Sequence, residues 1–372
     1  MTRLWDVGAD NQPHVDGDVV TKAGQARPTL ADVAKRAGVS GSTASIAFSG
    51  VGSISEATRS RVLRAADELR YFGPDPRARS LRQGRSGIVG VVLEDRVLHS
   101  FRDPMTIAVL DGISQELDAE HGGMLLLTST GVGESTIQSA VFDAAVFLGC
   151  SPHLRRSIEV MRQRNIPMVA IEGQPFDGVL SVALDNREAS ARLAAHLHGL
   201  GHRAVATVTL PMDARRELLE LDASVVAGAT TAVSIDRLAG AREVYPALGG
   251  FVAANSSSDE GYAAGLRVLG AGGGSGRPTA IMAQSDLLAV GVIRAAESLG
   301  LRVPADLTVV GFDGARIEGL SDHDLTTMVQ PATEKGRAAG RAVTELLAGE
   351  HPPDVAFTCD LHIGTTSGPP HR

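Results

Sequence analysis

At 372 residues the chain is long enough for two or three domains around a substantial core. Its formal charge of -8 means that any surface for a polyanion must be local, and no run of about 18 apolar residues is present that could span a bilayer. Two distant cysteines, Cys150 and Cys359, without CxxC spacing exclude a disulfide framework or a cysteine zinc site, and with no secretion signal at the start they fit a cytoplasmic protein.

Residues 1–27 are polar, hold the only tryptophan, Trp5, and read as a disordered extension. Thr29 and Asp32 then form a start signal, with a hydroxyl to cap an orphan amide and a carboxylate at the positive end of a helix. Leu30, Val33, Ala34 and Ala37 supply the apolar face of that helix, which ends at Gly38, a residue free to take positive φ. Ser40 caps a second helix, whose Ala44, Ala47 and Phe48 face inward and whose Gly41, Ser42, Ser45 and Ser49 face outward. Ser55 and Thr58 start a third helix, with Val62, Leu63, Ala66 and Leu69 at helical spacing. Two short helices and a tight turn are sized for the major groove, although an ordinary helical hairpin has the same outline.

A Pro- and Arg-rich stretch follows, in which Asp75 can cap and Pro76 can open one short helix ending at Gly84. Residues 29–87 hold ten Lys or Arg against five Asp or Glu, about +5, which leaves -13 for the remainder. A basic head on an acidic body fits phosphate contact, and Arg77, Arg79, Arg82 and Arg85 face only one nearby acid, Asp75.

After Gly87, short apolar runs alternate with amphipathic segments, the pattern of parallel βα units. Strands are expected at 88–93, 124–127, 144–148, 168–171, 204–208, 251–254, 280–283 and 308–312, with helices between them, giving two doubly wound sheets that face each other across a cleft. Asp185 with Asn186, Asp286 and Asp313 fall where strands end on the cleft side, and Arg237 is expected to open a helix there. Each alone reads equally well as a helix cap or surface group and as a pocket residue. Together they suggest a pocket for a polar small molecule.

Catalytic and cofactor signals are missing. The glycine run 270–276 is followed by Arg277-Pro278 and a strand, so it lacks the phosphate-loop context and reads as a surface loop, as does Thr130-Gly-Val-Gly. His196 and His198 are two apart on a helix and diverge, and neither G-x-S-x-G nor HExxH occurs. No enzyme activity, cofactor or metal is expected.

Many motifs occur together in one order: Thr29-Leu-Ala-Asp-Val-Ala, Ala37-Gly-Val-Ser with Thr43, Thr58-Arg, Arg79-Ser-Leu-Arg with Gly84-Arg, Val182 to Asn186, Gly201-His-Arg, Asp286-Leu-Leu-Ala, Val303 to Asp313, and Leu325-Thr-Thr with Gln330-Pro. On these the chain, from about 29 to 367, resembles the lac repressor family of bacterial transcription regulators. The resemblance implies a helix-turn-helix head (28–73), a hinge helix or linker (74–86) and an α/β, periplasmic-binding-protein-like body (87–372). The two lobes of that body would be roughly 87–186 plus 315–348, and 187–314 plus 349–367. It implies a homodimer on double-stranded operator DNA, a small-molecule effector between the lobes, and no membrane partner.

For DNA, the resemblance points to Thr29, Ser40, Gly41, Ser42, Thr43, Ser45, Ile46, Ser49 and Thr58 in the head, and to Arg77, Ala78, Arg79, Leu81 and Arg82 in the hinge, with Leu81 as the minor-groove wedge. Ile46 stands where the family usually has Arg, Ser49 where it has Asn, and Gly41 has no side chain, so direct base readout is expected to be sparse. For the effector it points to Met105, Asp185, Arg237, Ser256, Asp286 and Asp313. Met105, Thr106 and Ser256 stand where sugar-binding members commonly place aromatic faces, so a stacked sugar is not expected. A member without effector control and a two-lobed solute-binding protein are the alternatives; the second would need an export signal and no basic head.

Overall fold

A computed structural model describes residues 28–50, 52–73, 84–94, 97–117, 123–129, 133–149, 152–271, 277–317 and 323–371. The extension 1–27, hinge residues Arg77, Ala78, Arg79, Leu81 and Arg82, and the glycine run from 272 lie outside them. The chain divides into two compact units between Gly84 and Arg85.

In the first unit, α1 (Leu30–Ala37), α2 (Gly41–Ser49) and α3 (Glu56–Glu68) pack around Val33, Ala44, Ala47 and Val62, all nearly inaccessible to water. Each helix starts on a hydroxyl three residues before the amide it satisfies: Thr29 for Asp32, Ser40 for Thr43, Ser55 for Thr58. Thr29 and Asp32 complete a reciprocal capping box, and Gly38 turns the chain at φ 63°. Leu63, expected in the core, is instead 43% exposed; Val62 and Ala66 fill the inner face.

The second unit alternates strands and helices. In order they are β1 (Ile88–Leu93), α4 (Val97–Ser100), α5 (Pro104–Leu117), β2 (Gly123–Thr128), α6 (Gly133–Ser139), β3 (Ala144–Leu148), α7 (Arg155–Gln163), β4 (Met168–Ile171) and β5 (Leu180–Leu184). Then come α8 (Asn186–Leu200), β6 (Val205–Thr209), β7 (Leu219–Glu220), α9 (Ala223–Ala227), α10 (Ala232–Val244), β8 (Gly249–Val252), α11 (Ser258–Ala271), β9 (Ala280–Ala283), α12 (Asp286–Ser298) and β10 (Thr308–Asp313). The unit ends with β11 (Thr326–Val329), α13 (Ala332–Leu347), β12 (Val355–Phe357) and β13 (Asp360–His362).

One sheet has the order β12-β5-β4-β3-β1-β2 and is parallel throughout; the other has the order β13-β11-β10-β9-β6-β8-β7, antiparallel only at its two outer pairs. Buried on both faces, the central strands read as unbroken apolar runs, as in Val89 to Leu93 and Ala280 to Ala283. On the first sheet α5 and α13 meet at glycines: a Cβ on Gly112 would lie 2.1 Å from the Thr333 carbonyl oxygen, and one on Gly336 would lie 2.1 Å from that of Val109. Only glycine permits that approach.

The chain crosses between the lobes three times, after β5, after β11 and after β12. This corrects the expected lobe boundaries. Strand β11, inside 315–348, belongs to the second sheet through its Val310↔Thr326 register, and β12, inside 349–367, belongs to the first through Val182↔Val355. Strands of three or four residues carry too little periodicity to reveal which sheet they join.

Candidate functional site

On the head, the N-terminal end of α2 carries a knot of hydroxyls. Ser40 Oγ lies 2.8 Å from both Ser42 Oγ and Thr43 Oγ1, and Ser55 Oγ lies 2.9 Å from Thr58 Oγ1. Gly41, Ser42 and Ser49 are exposed and Thr43 and Ser45 half-buried, while the space beside Gly41 is open. Ile46 is half-buried: a Cβ on Gly52 would lie 3.2 Å from Ile46 Cδ1, so its side chain packs partly on its own unit. The exposed end of this helix therefore offers small hydroxyls and backbone rather than long donors.

In the body, a cavity of about 260 Å³ opens at the carboxyl ends of the strands of both sheets. Leu93, Glu94, Asp103, Met105, Thr106, Glu172 and Lys335 line it from the first lobe, and Leu210, Arg216, Arg237, Ser256, Ser285, Asp313 and Gln330 from the second. Among the described residues no aromatic ring lines it. At the edge, Arg216 Nη2 donates to the Glu94 carbonyl oxygen at 2.9 Å, which joins the lobes there.

Arg237 is the best-anchored group on the floor. It does not open α10, which begins five residues earlier at Ala232; it lies within the helix and is 3% exposed. Its guanidinium carbon sits over the Phe312 ring, 3.6 Å from the centroid; the group donates from Nε to Asn186 Oδ1 at 2.8 Å and from Nη1 to the Gln284 carbonyl, and faces Asp313 Oδ1 at 3.6 Å.

Around Arg237 runs a closed circuit. Asn186 Nδ2 donates to Glu172 Oε2 at 2.7 Å, and Glu172 Oε1 pairs with the Lys335 ammonium. That ammonium also donates to Gln330 Oε1, and Gln330 Nε2 donates to Asp313 Oδ1 at 2.7 Å. Burial pushes the Glu172 carboxyl up, but Lys335, Arg237 and the Asn186 bond outweigh it and hold it at about 2. Asp313 is raised well above the ordinary carboxylate value by burial, against the attraction of Arg237. Asp103 is also raised, chiefly by burial, while its oxygens accept from Met105 N at 3.1 Å and Thr106 Oγ1 at 2.8 Å.

Of the six positions expected at the cleft, the structure brings Met105, Arg237, Ser256 and Asp313 together on the cavity wall. Ser256 Oγ donates to Ser285 Oγ at 2.9 Å. Asp185 and Asp286 are not on that wall. Asp185 sits at the lobe crossover, where Oδ1 accepts from Cys359 N at 2.8 Å and Oδ2 from Arg192 Nη2 at 2.7 Å. Asp286 turns away behind the cavity, accepting from Thr327 Oγ1 at 2.6 Å and Ala315 N at 2.8 Å, while its own amide donates to Asp313 Oδ2 at 3.4 Å. Burial lifts its carboxyl to about 6. A strand end locates a residue to within a turn; which way the side chain then points depends on the caps and crossovers around it.

Sequence reasoning missed Asp103, Glu172, Gln330 and Lys335. Asp103-Pro104 is a helix-start signal that could have been read, and Glu172 follows β4 much as Asp313 ends β10. Lys335 carried no signal, since a lysine on a helix is ordinarily solvated.

The family comparisons agree with this geometry. Residues 29–73 match the model for bacterial regulatory proteins of the lacI family, and 194–366 match a periplasmic binding protein-like domain. The chain is 34% identical to the HTH-type transcriptional regulator Rv3575c of Mycobacterium tuberculosis, over 92% of this chain and 98% of the relative. The chain belongs to the lacI family. As a lacI-family protein it is a DNA-binding transcriptional regulator.

Its fold follows a lacI-family regulator from Corynebacterium glutamicum, with TM-score 0.67, 26% identity, and 92% of this chain and 99% of that one covered. The lac repressor dimer bound to operator and the anti-inducer ONPF shares the fold at TM-score 0.68 and 22% identity, with 92% and 99% covered. Among the described residues, no helix is long and apolar enough to cross a membrane, and no group of three His, Cys, Asp or Glu could hold a metal ion.

Proposed function

We propose that this regulator is a cytoplasmic homodimer that represses transcription by holding a pseudo-palindromic operator, and that a small polar ligand in the cavity between the lobes controls its grip. The observation that carries this reading is the cavity itself: Met105, Arg237, Ser256 and Asp313 converge on it from both lobes, at the strand ends where doubly wound sheets take ligands. A ligand touching both lobes favours one lobe arrangement over another, and that difference in affinity is the only energy it can contribute to the response.

On DNA, Ser40, Ser42, Thr43, Ser45 and Thr58 contact phosphate and base edges with short hydroxyl side chains. The hinge arginines Arg77, Arg79 and Arg82 and the Leu81 wedge then carry much of the specificity through deformation of the duplex.

Genomic footprinting followed by binding to the recovered site tests the DNA half: specific affinity is expected to fall when Leu81 becomes Ala, and no bound palindrome at low salt overturns it. Thermal melts of the protein with a panel of sugars, polyols and small organic acids test the other half. A binder at a hundred times its Kd adds about 2.7 kcal/mol to stability. One feature favours a regulator without effector control, because the floor carboxylates and amides already satisfy one another. A panel that leaves both the melt and operator affinity unchanged supports that second reading.

A further inference from the structure

The floor circuit has an order that its separate bonds conceal. Glu172 and Lys335 belong to the first lobe, at the end of β4 and on α13, whereas Asn186, Arg237, Asp313 and Gln330 belong to the second. The circuit thus crosses the lobe boundary twice, at Asn186 to Glu172 and at Gln330 to Lys335. Each crossing is made by a neutral side-chain amide set between a cation and an anion. Asn186 turns its oxygen to Arg237 and its NH2 to Glu172; Gln330 turns its oxygen to Lys335 and its NH2 to Asp313. A carboxylate has no donor and an ammonium no acceptor, so only a group with both can join these partners, and each amide has one orientation that does so. Glu172 and Asp313 also hold positive φ, 55° and 137°, a backbone state that persists where the surroundings over-determine it.

We propose that Glu172 and Lys335 are positioning residues: the first-lobe ion pair grips both ends of the second-lobe arc Asn186, Arg237, Asp313 and Gln330. It thereby sets one lobe angle and one orientation of Arg237 before any ligand enters. This deepens the effector reading of the cavity, yet its test needs no ligand. The two readings therefore fail separately: the effector reading on an unresponsive melt, this one on an unaltered lobe angle.

The experiment uses the full chain with Cys150→Ser and fluorophores on cysteines introduced at Ser139 in the first lobe and Arg267 in the second, both exposed. Single-molecule energy transfer then reads the inter-lobe distance without ligand. One narrow distance is expected for the parent. The double variant Glu172→Gln with Lys335→Met, which nearly keeps volume and leaves no buried charge alone, is expected to lose that single distance. Asn186→Ala cuts one crossing and spares the ion pair, so it decides the matter if the double variant does not fold. Asn186→Asp sets an acceptor against Glu172 and is expected to broaden the distribution more than Ala does. Variants that keep the parent distribution while only their melting temperature falls show a merely structural pair and overturn the inference.

Discussion

The head and the cavity floor are both polar constructions, but they are assembled over very different distances along the chain. In the head every helix start is satisfied three residues away, by Thr29, Ser40 or Ser55. On the floor, Asn186 meets Glu172 across 14 residues, Arg237 meets Asn186 across 51, and Lys335 meets Glu172 across 163. Local bonds can be lost one at a time. A closed non-local circuit ties several segments together, so the same kind of substitution has different reach in the two regions.

The largest expected effect is at Lys335. Its replacement by Met leaves the Glu172 carboxylate buried beside Asn186 without its cation, which costs about 3–5 kcal/mol. Urea denaturation of the full chain should show the loss in the body transition while the head keeps its own stability; equal loss in both would break the contrast. Next comes Val62→Ala in the head, where a small core closes on a wholly buried side chain. A loss of roughly 2 kcal/mol is expected from transfer and cavity terms, with weaker operator binding and an unchanged body melt.

The two regions should also part company in acid. Glu172, held at about 2 against an ordinary 4.5, binds its proton more readily in the unfolded chain; its stabilisation is present above about pH 4.5 and is lost as pH falls towards 2. Asp286 has the opposite sign, since burial lifts it from 3.8 to about 6, so the body gains stability as pH falls through that interval. Thermal melts should therefore place the body's optimum at about pH 4, where the gain from Asp286 and the loss from Glu172 balance. A body that loses stability steadily from pH 7 down to 5 would refute the balance.

Smaller still is Thr29→Ala, which removes the hydroxyl half of the capping box and should cost the head about 1 kcal/mol, read by helical circular dichroism. The smallest change in stability is expected for Gly41→Arg, at an exposed position with open space beside it. It should raise the slope of log affinity against log salt by about 1 while leaving the melt in place.

These outcomes bear on how much could be read from the chain. Thr29, Asp32, Gly38, Ser40 and Ser55 announced the head because capping is a matter of i to i+3 neighbours. The βα alternation announced two doubly wound sheets because buried parallel strands are apolar without interruption. The cleft was legible as a place, and Met105, Arg237, Ser256 and Asp313 do line it. Asp185 and Asp286 misled because both follow strand ends, at the starts of helices, yet face elsewhere, one tied to Cys359 and Arg192, the other to Thr327 and Ala315.

By itself, then, the amino-acid order determined the helix starts and stops of the head, the alternation that builds the body and the family to which both belong. All of these are written in spacings of two to four residues and in unbroken apolar runs. Only the tertiary structure decided which lobe owns β11 and β12, which carboxylates look into the cavity, and that a lysine on α13 pairs with a glutamate after β4. Those facts depend on three crossings of the chain between lobes, and no local spacing encodes where a distant segment will return.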